Sequence, residues 1–330
     1  TQTDKKRKAG IRKIGLLSAC LWAMSTSCVK DGWEPCDNKI RIVNDYNSDR
    51  VDKFHVQAKC VDIYAFESNS GLFAEKISAK GSPFTKDFEI DVPESLYGKE
   101  HDYLVWAGLD PGSYTFPSMR KGVSKIEDFS VQLDTYSAQA EGKKLEPLWH
   151  GTAGNISFGD KTERTEIISL TKNTNTFRIV FSFLDNGAIV QPYEPDDLEV
   201  GIYTANGWMS HDNSIADPKD RDIHYTPYFS QKEVDAGLVY ELNTLRLMAD
   251  REATLAVKDK KAGREVFRMP LISYLNLLRL VEESWIRTLQ EYLDREDNFR
   301  MVLFIDVTNG NWVSFEILIN DWVVRQQGSG

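Results

Sequence analysis

The sequence predicts an all-β protein built as two tandem β-sandwiches, with a short helix inserted in the second. Three observations carry that prediction. Short β-branched and aromatic runs recur along the chain, divided by turn residues. Phe177, Ile179, Phe181 and Phe183 alternate with other residues, the period of a strand with one buried face. The 330 residues, 41% of them hydrophobic and 11% aromatic, are enough for two cores of ordinary size.

In chain order, KIRIVN (39–44), KCVDIYAFES (59–68), FTKDFEIDV (84–92), HDYLVWAGL (101–109), FSVQLDTYS (129–137) and TEIISLT (165–171) read as the strands of the first sandwich. The polar stretch TKNTNT (171–176) separates them from FRIVFSFL (177–184), so the expected boundary divides 39–172 from 173–327. DLEVGIYTA (197–205) and GLVYELNTLRLM (237–248) follow, then two strands joined as a hairpin around Lys260-Lys261-Ala262-Gly263. In LISYLNLLRLVEESWIRTLQEYLDRED (271–297), Leu271, Leu275, Leu278, Trp285, Leu289 and Tyr292 fall at near-helical spacing. A helix over part of this segment, on the outside of the second sandwich, covers a sheet face or edge. Asn309-Gly310 lies between two apolar runs, a strong hairpin signal. Beyond it Val313, Phe315, Ile317 and Ile319 alternate along a C-terminal strand, 312–324, that is either sandwich core or a strand lent to another subunit.

The first 27 residues differ. A basic stretch, TQTDKKRKAGIRK, precedes the apolar IGLLSACLWAM, which is too short to span a bilayer; together they read as a secretory signal. Cys20 lies inside the apolar part. Cys28 follows Ser25-Thr26-Ser27, and a small-residue tripeptide before Cys is what bacterial lipoprotein processing requires. Cleavage after Ser27 would leave an acylated Cys28, held on a membrane by several chains at about 0.8 kcal/mol per buried methylene. Lipoboxes commonly carry Leu where Ser25 stands, and the alternative is an ordinary thiol after conventional cleavage. Residues 28–38 read as a tether. Cys36 and Cys60 remain as an even pair in an exported chain, expected as a disulfide worth roughly 3 kcal/mol, or else as two separate buried thiols.

Charge and motifs exclude several functions. The net charge is −10; residues 1–27 carry six of the 40 Lys/Arg and one of the 50 acidic residues, so the remainder stands at −15. Such a surface repels phosphate backbones, and no nucleic-acid partner is expected. His55, His101, His150, His211 and His224 form no HExxH or HxH, and there is no G-x-S-x-G, P-loop or G-x-G-x-x-G. Asp217, Asp220 and Asp222 miss the calcium-loop spacing and read as a solvated turn. Glu282-Glu283 and DRED (294–297) read as helix-surface charge rather than glycosidase carboxylates. No enzyme, cofactor, metal or small-molecule substrate is expected.

The run QEYLDREDNFRMVLFIDVTNGNWVSFEILINDWVVRQQ (290–327) resembles the C-terminal signature of the Bacteroidales fimbrial anchor family, the FimB/Mfa-type lipoproteins. Ile317, Ile319, Asn320, Trp322 and Val324 match its I-x-I-N-x-W-x-V ending, and DYLVWAGLDPGSYTF (102–116) and LEPLWHG (145–151) also look like family segments. The resemblance spans essentially the whole chain. It implies two transthyretin-like Greek-key sandwiches and a lipid-anchored outer-membrane protein at the base of a type V fimbria. Its partners would be fimbrial stalk or accessory subunits and, through its N-terminal acyl chains, the outer membrane. Related stalk subunits polymerise by strand donation after an N-terminal strand is removed. A subunit whose N-terminus is held in lipid joins at one end only, which limits fibre length. Val313, Phe315, Ile317, Ile319 and Trp322 would be its joining residues. The alternatives are a surface glycan-binding lipoprotein, which needs Trp106, Trp149 and Trp208 as an exposed platform, and a fimbrial tip adhesin of the same fold.

Overall fold

Strands of alternating burial dominate both halves of the chain in the computed structural model. It describes residues 37–326 apart from 82–83, 110–111, 135–142, 160, 162, 219–220, 235–236 and 283–285, and only the backbone of 281–282, 314–315 and 322–326. The first half contains β1 (Asn38–Val43), β2 (Cys60–Glu67), β3 (Phe73–Lys80), β4 (Glu89–Asp91), β5 (Glu100–Ala107), β6 (Tyr114–Thr115), β7 (Ser130–Leu133), β8 (Trp149–Ser157), β9 (Arg164–Ser169) and β10 (Thr171–Lys172). A five-stranded sheet in the order β10-β8-β5-β2-β3 faces a three-stranded sheet, β4-β1-β9. Ile40 and Ile42 of β1 meet Val61, Ile63, Tyr103 and Val105 between the two layers, all fully or nearly fully buried.

The other face of β2 and β5 is buried as well. Tyr64, Phe66, Leu104 and Trp106 lie under Phe129 and Val131, with Phe129 edge-on to Tyr64 at 4.6 Å and stacked on Trp106 at 6.2 Å. Burial on both faces explains why these two strands read as nearly continuous apolar runs. Two strands give no such signal. β3, at the sheet edge, carries FAEKISAK with alternate residues open to solvent. β8 carries two glycines, and a Cβ on Gly151 would stand 2.6 Å from the Leu170 side chain and 2.9 Å from the Ser169 carbonyl. The expected strand 84–92 shortens to β4, because Phe84 and Phe88 turn aside to pack on Phe54 of a four-residue helix, α1 (Phe54–Gln57).

The second half contains β11 (Thr174–Asp185), β12 (Ala188–Val190), β13 (Leu198–Thr204), β14 (Trp208–Ser210), β15 (Ile223–Tyr225), β16 (Phe229–Glu233), β17 (Gly237–Leu245), β18 (Ala253–Asp259) and β19 (Arg264–Pro270). Helices α2 (Leu271–Glu282) and α3 (Leu289–Arg295) follow, then β20 (Asn298–Asp306), β21 (Val313–Ile319) and β22 (Trp322–Gln326). A seven-stranded sheet, β16-β17-β11-β20-β21-β22 with β12 also beside β11, faces a four-stranded one, β15-β13-β18-β19. β11 and β20 run parallel with Phe177 opposite Phe299, Ile179 opposite Met301 and Phe181 opposite Leu303. All six are fully buried, each contributing on the order of 1.5–3 kcal/mol.

The helical segment splits in two. Leu271, Leu275 and Leu278 bury one stripe of α2 in the core, and the helix packs against β18 and β22, closing that side of the sandwich. Thr288 caps α3, its hydroxyl accepting the Glu291 N–H at 3.1 Å.

The halves are joined by buried structure. The chain passes from β10 to β11 over Asn173, which is fully buried and exchanges side-chain hydrogen bonds with Asn213 at 2.6 and 3.1 Å. β14 of the second half pairs with β7 of the first, forming a third small sheet, β14-β7-β6, across the junction.

Candidate functional site

The C-terminal strands are where the sequence places subunit joining. The stretch 312–324 is two strands rather than one. Asn320 and Asp321 take φ of 48° and 69°, a left-handed pair that short polar side chains tolerate, and they reverse the chain between β21 and β22. Asn320 is also tied to Arg300, donating its N–H to the Arg300 carbonyl at 2.7 Å and accepting the Arg300 N–H at 2.9 Å. On its other side β21 pairs with β20 across the Asn309-Gly310 hairpin, where Gly310 has φ 71°.

β21 is therefore hydrogen-bonded on both edges. Ile317 and Ile319 point into the core and are fully buried, opposite Leu303 and Met301. Val313 is 43% exposed at the hairpin end. Phe315 lies mid-strand in β21, and Trp322 opens β22 opposite Ile319. The outer strand of this side of the sheet is β22.

A second constellation, which sequence spacing did not reveal, lies at the junction: its Arg246–Asp294 pair is internal to the second half, while the contacts of Arg295 and His150 cross between the halves. Arg246 donates from Nε and Nη2 to both carboxylate oxygens of Asp294 at 2.7 Å, with side-chain exposures of 11% and 10%, and also donates to the Asn213 carbonyl. Ser48 donates its N–H to the Arg295 carbonyl at 3.0 Å, while the Arg295 guanidinium lies 3.9 Å from the centre of the Tyr46 ring. His150 of β8 is nearly fully buried, 4.9 Å from Trp106 ring to ring, with Nε2 2.7 Å from the His211 carbonyl. Burial lowers its pKa to about 4, against the opposing hydrogen bond to His211.

The unfolded chain takes up this proton near the ordinary value of 6.5 and the folded chain only near 4. The contribution is therefore complete above 6.5 and is lost as the pH falls toward 4. Its size is about 3 kcal/mol. Urea unfolding between pH 7 and 4.5 should show a steeper loss for the native chain than for His150→Phe; equal slopes would refute the assignment.

The remaining candidates resolve simply. Trp106 and Trp149 are fully buried, and Trp208 is 37% exposed, so the three form no platform. Asp217 is not a solvated residue: nearly buried, it accepts the Trp208 N–H at 2.5 Å, and its carbonyl accepts Arg251 at 2.8 Å. Glu283 and Asp220 lie outside the described residues. Among the described residues no group of three or more His, Cys, Asp or Glu is placed to hold a metal, and no helix is long and apolar enough to cross a membrane. A groove of about 440 Å³ beside β16 is lined by Pro195, Leu198, Tyr228, Phe229, Tyr240 and Lys260. Burial pushes its Tyr228 hydroxyl up to about 12, which keeps it protonated.

Cys28 and Cys36 lie outside the described residues. Cys60 is half-buried, and its Sγ accepts the Leu109 N–H at 3.3 Å. Asn38 begins β1 at the Glu67 end of the first sandwich, its side chain donating to the Gly159 carbonyl at 2.6 Å, just beyond the paired Ser157 and Glu100. Cys60 is at the opposite end of β2, about 23 Å away along the strand.

The same geometry orients the molecule. The Leu170 N–H donates to the Val43 carbonyl at 2.8 Å and β10 follows at once, so the second half attaches at the end of the first sandwich remote from Asn38. β11 then runs on for 12 residues, about 36 Å, to a far tip formed by the turns after Asp185 and Asp306.

Comparison with known proteins adds three findings. The model of a family described as fimbrillin-A associated anchor proteins Mfa1 and Mfa2 matches residues 34–328. The minor fimbrium anchoring subunit Mfa2 of Porphyromonas gingivalis is 20% identical over 342 residues, covering 98% of both chains. Two solved structures from Bacteroides thetaiotaomicron share the fold. One, provisionally described as polysaccharide-binding, is 30% identical with a TM-score of 0.78, over 88% of this chain and 98% of its own. The other, provisionally described as an adhesin, is 25% identical with a TM-score of 0.76, over 90% of this chain and all of its own.

Proposed function

The chain belongs to the family of fimbrillin-A associated anchor proteins, and from that premise we propose that it fixes a fimbria to the outer membrane and ends the fibre at its base. Acyl chains on Cys28, added with cleavage after Ser27, supply the attachment. The observation that carries this reading is the two-ended layout: the first described strand begins at Asn38, and the seven-stranded sheet reaches its tip at the opposite extreme. A protein that links a membrane to a fibre needs its two attachments apart in this way.

Joining to fimbrial stalk or accessory subunits involves the C-terminal region, through the outer strand β22, which Trp322 opens, and the open Val313. β21 itself is paired on both edges, and Ile317 and Ile319 are committed to the core. The glycan-platform alternative loses its main support with Trp106 and Trp149 buried.

Cys28→Ala tests the reading. The expected result is protein in the soluble fraction, with fimbriae shed into the medium and longer than normal. Fimbriae that stay cell-bound at normal length in this strain would overturn it.

A further inference from the structure

The outer face of the seven-stranded sheet is apolar at the tip. Ile189, Leu184, Asp306 and Val313 lie side by side across β12, β11, β20 and β21, on the face opposite the core residues Phe183 and Ile305. Ile189 is 66% exposed and Val313 43%. Val234, 83% exposed, joins them: Gln191, on the same side of its extended segment as Ile189, donates to the Val234 carbonyl at 2.6 Å. Further in, half-buried Phe304 leads to half-buried Val180, Val302 and Leu318, and the row ends at Val239, which is fully covered. Beneath the tip, Trp312 packs on Phe183 at 5.0 Å and donates to the Tyr193 hydroxyl at 3.1 Å, so the face is held rigid.

The border is acidic. Asp306 lies within the row and Glu316 stands opposite Phe304 on the same face, while Glu233 at its edge is paired with Arg178. The nearby cations are already engaged, Arg178 with Glu233 and Glu241 and Lys232 with Glu194.

We propose that this face docks a separate protein subunit with an apolar centre and a basic rim, the next subunit of the fibre; the proposal rests on the anchor reading above. The first described strand begins at Asn38, at the other extreme from the tip. A second copy would set acids against acids, and an anionic lipid surface would be repelled in the same way.

The test places a photo-crosslinking amino acid at positions 189, 234 and 313 of the full chain in fimbriated cells. Controls carry it at the exposed Val56 and Ile167 of the first half, which are 67% and 59% open. A fimbrial subunit should be captured from the three tip positions at least about tenfold more than from the controls. Ile189→Lys/Val313→Lys should reduce capture from position 234 by at least about tenfold with unchanged thermal melting. Equal capture at tip and control positions, adducts only with a second copy or with lipid, or no adduct at the tip would each overturn the proposal. Capture of a fimbrial subunit only from 56 or 167 would sink this surface and leave the anchor reading standing. No fimbrial subunit from any position, with fimbriae still bound in the Cys28→Ala strain, would sink both.

Discussion

Truncating Ile317 or Ile319 to alanine should destabilise the fold by about 2–5 kcal/mol each, which is a large part of the stability of an ordinary domain. Both side chains are fully buried against Leu303 and Met301, on a strand bonded along both edges, so the space left behind has little room to collapse. Val313→Ala, at 43% exposure, should stay within about 0.5 kcal/mol. Denaturant midpoints with an unchanged slope would measure all three. The outcome bears directly on assembly experiments. If Ile317→Ala abolished fibre attachment while keeping native stability, the isoleucine would be a joining residue and its place in the core would be refuted.

Arg246→Ala should cost about 3–5 kcal/mol, because it leaves the Asp294 carboxylate buried without its partner and strips the Asn213 carbonyl of a donor. The control is Arg268→Ala. Its pair with Glu265 has the same 2.7 Å contact but exposures of 58% and 43%, so its loss should cost no more than about 0.5 kcal/mol. Urea unfolding of the two variants decides the matter, and comparable losses would show that burial at the junction does not set the scale. Replacing Arg246 and Asp294 together by apolar residues should recover most of the loss, since the penalty lies in the orphaned charge.

What could be read in advance followed the local chemistry. The alternation of Phe177 to Phe183, the apolar runs of β2 and β5, and the hairpins at Gly263 and Asn309-Gly310 each announce an element through neighbouring residues. β3 and β8 were missed because edge exposure and close approach at Gly151 remove the apolar signal. The break in the last strand depends on Asn320 and Asp321 adopting left-handed backbone, a permissive trait rather than a compelled one. Among the candidate residues, Val313 and the buried isoleucines were found by alternation, but which edge of their strand is free depends on β20 and β22. The junction was invisible for another reason: His150 and His211, or Asn173 and Asn213, are brought together from 40 or more residues apart.

β1 starts at Asn38 and runs toward the second half, bonded to β4 on one edge and, in parallel, to β9 on the other. Under the proposed attachment, with a fibre held at the tip and the membrane end beyond Asn38, drag would pull along the axis of β1. Such a load slides the strand past its neighbours and strains all of its backbone hydrogen bonds at once, where a pull across the sheet would peel them singly. The last described strand before the tether is set in shear, the direction in which a β-sheet yields least.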